Sequence, residues 1–241
     1  MRTAIVSDIH GNLTAFEAVL ADLRETSPDV IWHGGDLAAS GAHPAEVVDR
    51  IRDLGWPGVC GNTDEMLWTP GSLPNYAAKF PKLQNILTSL GEMIPWICAA
   101  LGEDRIRWLE TLPCLQRDGS VALVHASPNN LWQAPLSSGS DAELHSVYDD
   151  LNAPIVAYAH IRCPYVRQLQ GMTVANTGSV SLSYDGDPRA SYLLLDEGVA
   201  TIRRVEYDLE REANDLVRSG LPHADWLARV LRAGHYLPPA A

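Results

Sequence analysis

Apolar and polar residues along the chain alternate between two rhythms. Short β-branched runs, "TAIVSD" from Thr3, "DVIWHGGD" from Asp29 and "PGVCGN" from Pro57, read as buried strands. Between them, "LTAFEAVLADLRE" from Leu13 and "HPAEVVDRIRDLG" from His43 carry apolar residues at helical spacing. Thr14 followed by Glu17 fits a capping box, Pro28 stops the first helix, and Gly55 closes the second. Strand–helix alternation of this kind predicts a parallel sheet covered by helices on both faces.

Residues 65–113 break the alternation. They read as a helical insertion, a cap within one domain spanning 1–241, with interruptions at Pro81 and Pro95. "SVALVHAS" returns to strand, "DAELHSVYDDLN" to helix and "PIVAYAH" to strand. "YVRQLQG", "MTVAN", "ASYLLLD" and "VATIRRVEY" then predict antiparallel hairpins forming a second sheet, and two helices close the chain from Asp208.

Chemistry-bearing residues fall where strands end. Asp8 and His10 follow the first strand, Asp36 the second, Asn62 and Asp64 the third. His125 and His160 end two later ones. Ligand sites of open α/β sheets form at that edge. Taken singly, each Asp or Asn reads as a turn or cap residue, and each His as a hydrogen-bonded core residue. The coincidence of five segments instead predicts a metal centre. Mixed imidazole and carboxylate ligands suit Mn, Fe, Zn or Ni better than Ca.

Composition narrows the partners. Of 241 residues, 46% are hydrophobic and 20% charged, with a net charge of −12. That balance argues against a groove for a nucleic-acid polymer, which needs clustered Lys and Arg, while leaving room for a small phosphorylated substrate drawn by a metal. No apolar run is long enough to span a bilayer, so no membrane association and a cytoplasmic location are expected. Cys60, Cys98, Cys114 and Cys163 form no C-x-x-C pair and read as reduced core thiols.

"SDIHGN", "GGDL", "VCGNTD", "ALVHAS" and "AYAHIR" together resemble the ordered motifs of the calcineurin-like metallophosphoesterases. "HPAEVVDRIRDLG" and "NTGSVSLSYDGDPRASYLLLD" resemble the small YfcE-like and diadenosine tetraphosphatase-like branch. The resemblance implies an α/β fold, a four-layer α/β/β/α sandwich of two mixed sheets, with two divalent metal ions, Mn foremost. By position, Asp8 and His10 would hold the first metal and Asp36 would bridge. Asn62, His125 and His160 would hold the second. A metal-bridging hydroxide would attack phosphorus, with Asp36, Asn62, His125 and Arg162 as the catalytic set. The substrate would be a phosphodiester, a nucleotide polyphosphate or a phosphomonoester. A weakened binding or scaffold module, as in the retromer scaffold subunit of this fold, is the alternative, and a homo-oligomer is compatible with either.

Two positions depart from the family pattern. Arg162 stands where a second histidine would complete the first metal's shell, and a guanidinium has no lone pair to give. It reads either as a phosphate contact or as a salt-bridge partner of a nearby Asp. Thr63 replaces the histidine that serves many relatives as general acid, which favours good leaving groups; the YfcE-like members share that change. Asp64 reads as the cap of the next helix or as an orienter behind the ligands. His33 and His43 read as core or surface histidines, with an acid role as the alternative. "NTGSV" either turns Gly178 and Ser179 N–H groups toward the metals or is a plain turn. Trp68, Trp96, Trp108 and Trp132 read as core, with a nucleobase wall as the alternative.

Overall fold

A computed structural model describes residues 1–239. In chain order the elements are β1 (Arg2–Val6), α1 (Leu13–Thr26), β2 (Val30–His33), α2 (Pro44–Leu54), α3 (Asn62–Glu65), α4 (Ser72–Lys79), α5 (Gln84–Glu110), β3 (Leu115–Asp118) and β4 (Val121–Val124). Beyond them lie α6 (Asp141–Tyr148), β5 (Ile155–Tyr158), β6 (Tyr165–Leu169), β7 (Met172–Asn176), β8 (Ala190–Asp196), β9 (Val199–Val205), α7 (Leu209–Arg218) and α8 (Ala224–Ala233).

Two mixed sheets result. One runs β2-β1-β8-β9 and the other β3-β4-β5-β7-β6. Parallel pairs β1–β2, β4–β5 and β5–β7 combine with antiparallel hairpins, which finish every edge except that of β2. The sheets face each other through Ile5, Trp32, Leu123, Ala157 and Leu193. Helices α1, α2, α5, α7 and α8 cover the outer face of the first sheet, and α6 covers that of the second. This is the four-layer α/β/β/α arrangement. The simpler expectation of helices on both faces of one sheet fails because the second sheet takes the place of one helical layer.

Several local expectations are corrected. "PGVCGN" makes only a single bridge, Gly58 to His33, and no strand. The four late strands do not form one sheet. β6–β7 joins β5, while β8–β9 joins β1, because each hairpin pairs with a strand far away in sequence. The cap of α1 is Asn12, whose side chain accepts from Ala15 N at 2.8 Å, so Thr14 lies inside the helix. Pro95 sits inside α5 without breaking it; the break falls at Gly102, with φ 70°. Packing of Leu87, Met93, Ile97 and Leu101 holds that helix despite one lost N–H. Strand β3 had no sequence expectation. Cys60 is buried, but Cys114 is exposed, so the thiols are free without all being core. Trp68, Trp96 and Trp108 pack against the main core and Trp132 is buried in it.

Candidate metal centre

The loops leaving β1, β2, β4 and β5 meet the start of α3 at one rim, and they do so in an uncommon backbone state. Asp8, His10, Asp36, His160 and Arg162 all have positive φ, between 51° and 68°. Each costs about 1–2 kcal/mol for a residue with a Cβ, so the surrounding bonds must impose it. They do: Asp8 N donates to Gly35 O and His10 N to Asp36 O, while Asp8 O accepts from Ser181 N.

Asp64 is the organiser that sequence reasoning undervalued. Fully buried, its carboxylate accepts from the N–H groups of Asp36 (2.8 Å), Leu37 (3.0 Å) and Gly61 (3.1 Å). It is the third residue of α3, whose N-cap is Gly61 rather than Asp64; its bond from Gly61 N forms the carboxylate half of a capping box, while its bonds from Asp36 and Leu37 fulfil the orienter reading. Burial and then the Asp36 charge push its carboxyl up to about 6, against the pull of the Gly61 and Leu37 N–H groups. Gly61 itself is required by closeness: a Cβ there would overlap Asp36 Oδ1.

All six expected ligands come together. His10 Nε2 lies 3.7 Å from Asp8 Oδ1 and 3.6 Å from Asp36 Oδ2. His125 Nε2 lies 3.6 Å from Asp36 Oδ1 and 3.0 Å from Asn62 Oδ1. His160 Nδ1 lies 2.9 Å from the same Asn62 oxygen, and His160 N donates to Asp8 Oδ2 at 3.3 Å. Asp36 thus faces both groups, one oxygen toward each, and Thr63 N donates to its Oδ1 at 2.9 Å.

The donors fit a divalent cation on their own chemistry. Backbone carbonyls fix two imidazoles: His10 Nδ1 donates to Ala39 O at 2.8 Å and His125 Nδ1 to Gly34 O at 2.7 Å. Each Nε2 is thereby left with a lone pair aimed at carboxylate or amide oxygens. Asp8 Oδ1 and His10 Nε2 are buried without a hydrogen-bond partner among the described residues. Donor atoms of Asp8, His10 and Asp36 all lie within 4.8 Å of one another. Burial, and then the charge of His125, push the His160 imidazole down to about 4, so it is neutral and able to donate a lone pair at neutral pH. Burial acts to raise the Asp8 carboxyl, but its neighbours His10, His125 and Arg162 outweigh it and hold it at about 2.

Arg162 lies against the Asp8 side. Its Nε is 3.7 Å from Asp8 Oδ1, its Nη1 donates to Tyr184 Oη at 3.1 Å, and its guanidinium stacks 4.9 Å from the Tyr184 ring centroid. The nearby-Asp partner foreseen for it is therefore Asp8, and Tyr184, which lies in the "NTGSVSLSYDGDPRASYLLLD" stretch without a role being read for it, cradles it. The remaining expectations resolve more plainly. Gly178 N donates to Asn176 Oδ1 and Ser179 N to Ser191 Oγ, so "NTGSV" is a turn whose N–H groups are already used. His33 is buried with neither ring nitrogen bonded, and burial pushes it down to about 4. His43 sits apart from the cluster, 3.7 Å from Asp215. Beside α3, Trp132 Nε1 donates to Glu65 Oε2 at 2.6 Å, and its ring lies 5.1 Å from that of Tyr76, next to an open cleft.

Comparison with known proteins places this geometry in a lineage. A protein of Methanocaldococcus jannaschii described only as uncharacterized is 30% identical over 96% of this chain and 97% of its own. The crystal structure of a metallophosphoesterase from Sphaerobacter thermophilus superposes with a TM-score of 0.78 at 27% identity, covering 97% of this chain and all of that one. The symmetrical bis(5'-nucleosyl)-tetraphosphatase of Pectobacterium atrosepticum is 29% identical over 64% of this chain, which spans about half (53%) of that enzyme. Residues 1–198 match the sequence profile of the calcineurin-like phosphoesterase superfamily domain, and the chain belongs to that superfamily.

Proposed function

We propose that the protein is a metal-dependent phosphoesterase of small phosphorylated substrates, with Asp8, His10, Asp36, Asn62, His125 and His160 as its metal ligands. The observation that carries this is the meeting of buried, lone-pair-bearing atoms, among them Asp8 Oδ1 and His10 Nε2, that no hydrogen bond among the described residues satisfies. Two divalent ions, Mn foremost, would supply Lewis acidity toward phosphoryl oxygens and a water of lowered pKa.

The residues of the chain do the rest. Asp36 divides its two oxygens between the groups, and the N–H of Thr63 fixes one of them. Asn62 contributes a neutral oxygen, which keeps negative charge opposite an anionic substrate low. The carbonyls of Ala39 and Gly34 hold the His10 and His125 rings in the donating tautomer. Arg162 presents a fixed positive charge beside Asp8, placed to neutralise charge developing on phosphoryl oxygens. Thr63 supplies no imidazole acid, so a leaving group stable as an anion, such as an aryl oxide or a nucleotide released from an anhydride, is the preferred class. The likeness to a dinucleoside tetraphosphatase supports including the anhydride. We take the chain as one domain in which residues 65–113, carrying Glu65 and Tyr76 at the cleft, select the substrate.

The test is turnover by metal-free protein given Mn²⁺, on bis(p-nitrophenyl) phosphate, p-nitrophenyl phosphate and diadenosine tetraphosphate. Hydrolysis that requires the ion and is lost with Asp36→Asn is expected. Absence of both bound metal and turnover would point to a docking module instead.

A further inference from the structure

We propose that His43, Glu212 and Asp215 form a separate site for a zinc-like divalent ion, joining the start of α2 to α7. These residues belong to neither group of the main cluster. Each offers a ligand atom, and the three atoms lie within 4.8 Å of one another.

The decisive group is Glu212. It is 1% exposed, and neither of its carboxylate oxygens has a hydrogen-bond partner among the described residues. A carboxylate cannot stay charged in that state without a cation or a set of donors. Burial pushes its carboxyl up, while Thr14 and then His43 pull it partly back. The Tyr207 hydroxyl, near enough to feel the Glu212 charge, is also buried and free. The pocket therefore holds a buried carboxylate with no group of fixed positive charge within hydrogen-bond distance among the described residues.

The other two residues supply what an ion needs. His43 Nε2 lies 3.7 Å from Asp215 Oδ2. Two ligands on a tetrahedral zinc, at bonds of about 2.0–2.1 Å, sit roughly 3.4 Å apart, so a small contraction brings this pair to ligand spacing. One imidazole and two carboxylates are a borderline donor set suited to Zn²⁺ rather than Ca²⁺. His43 and Asp215 are part-exposed, which leaves an entry path and room for a water as fourth ligand. Competing groups are weak: Arg211 Nε approaches Asp215 at 3.8 Å from a largely exposed side chain, and Glu46 approaches His43 Nδ1 at 3.9 Å.

The placement gives the ion a structural role. His43 N donates to Gly11 O, immediately after the ligand His10, and residues 37–43 connect it to Asp36. An ion here would fasten α7 to the loop that carries Asp36 and, through the His43 N–H to Gly11 O bond, to the loop that carries His10, without touching substrate.

Full-length protein carrying Asp36→Asn together with His10→Gln and His125→Gln, which takes the shared carboxylate and one imidazole from each half of the main centre, separates the two sites. It is stripped with chelator, given Zn²⁺, desalted and analysed for metal. We expect one zinc per chain and a zinc-dependent rise in melting temperature. Adding Asp215→Asn or His43→Gln should remove that equivalent and that rise. Adding Glu212→Gln should remove the rise while leaving the zinc-free fold at least as stable. Unchanged zinc content in the Asp215→Asn and His43→Gln proteins, or a rise that survives Glu212→Gln, would overturn the proposal. No zinc in the triply substituted parent would also overturn it, leaving Glu212 a buried neutral acid.

Discussion

The two halves of the main cluster share Asp36 but are closed differently. On one side, His125 faces an Asp36 oxygen and shares the Asn62 side-chain oxygen with His160. On the other, Asp8 and His10 face the second Asp36 oxygen with Arg162 beside Asp8. A guanidinium next to a carboxylate competes electrostatically with any cation that carboxylate would bind. The same sheet rim therefore presents a richer donor set in one half and a poorer, partly neutralised set in the other. On this reading the His125 half retains its ion more firmly, and the Asp8 half fills less readily and leaves Arg162 facing substrate.

The largest expected effect comes from the residue common to both halves. Asp36→Asn should lower kcat/KM by at least ~10²–10³-fold, the scale of losing a preorganised electrostatic partner of the transition state. A loss confined to KM would break the bridging assignment. Next in size is a contrast between anchored and unanchored imidazoles. His10 and His125 are tied to carbonyls, whereas His33 is buried with neither nitrogen bonded. The folded His33 pKa of about 4 lies below the unfolded value, so the unfolded chain takes the proton first. Stability should be full above pH 6.5 and fall by about 3 kcal/mol as pH drops from about 6.5 to 4. Chemical denaturation across that range should show the fall, and His33→Gln should flatten it.

Smaller effects sharpen the asymmetry further. Asp64→Asn weakens the shared scaffold of three N–H bonds and should cost ~10–100-fold in activity or metal affinity, the scale of a partner behind the ligands. Arg162→His should raise metal content in the Asp8 half, measured by elemental analysis, with affinity gained by ~10-fold or more. An unchanged content would mean that Arg162 does not limit that half.

The proposed ligand set was legible because every member but Asn62, which opens α3, lies just beyond a strand whose end reaches the same sheet rim. The bonds that aim the ligands were not. Ala39 and Gly34 act through carbonyls, which leave no mark on side-chain type. Asp64 was read as a cap or an orienter, but its partners Asp36 and Leu37 lie far back in the chain, so which groups it orients was not legible. The role of Tyr184 was invisible for the same reason, 22 residues from Arg162. In the fold, helices with strong spacing such as α2 were read correctly to the Gly55 cap. Sheet membership was not: β6–β7 and β8–β9 look alike locally, and their partners β5 and β1 are chosen by long-range packing. Gly102 outranked Pro95 as the break in α5 because its φ of 70° is open to glycine, whereas Pro95 lies in a stretch pinned by buried Met93 and Ile97.

The asymmetry itself is tested most directly by anomalous scattering from crystals grown without metal and then soaked in limiting Mn²⁺. The expected result is a strong peak among Asp36, Asn62, His125 and His160, and a weaker one beside Asp8 and His10 that strengthens in Arg162→His. A stronger peak on the Asp8 side of the unaltered protein, or no peak in the His125 half, would contradict it.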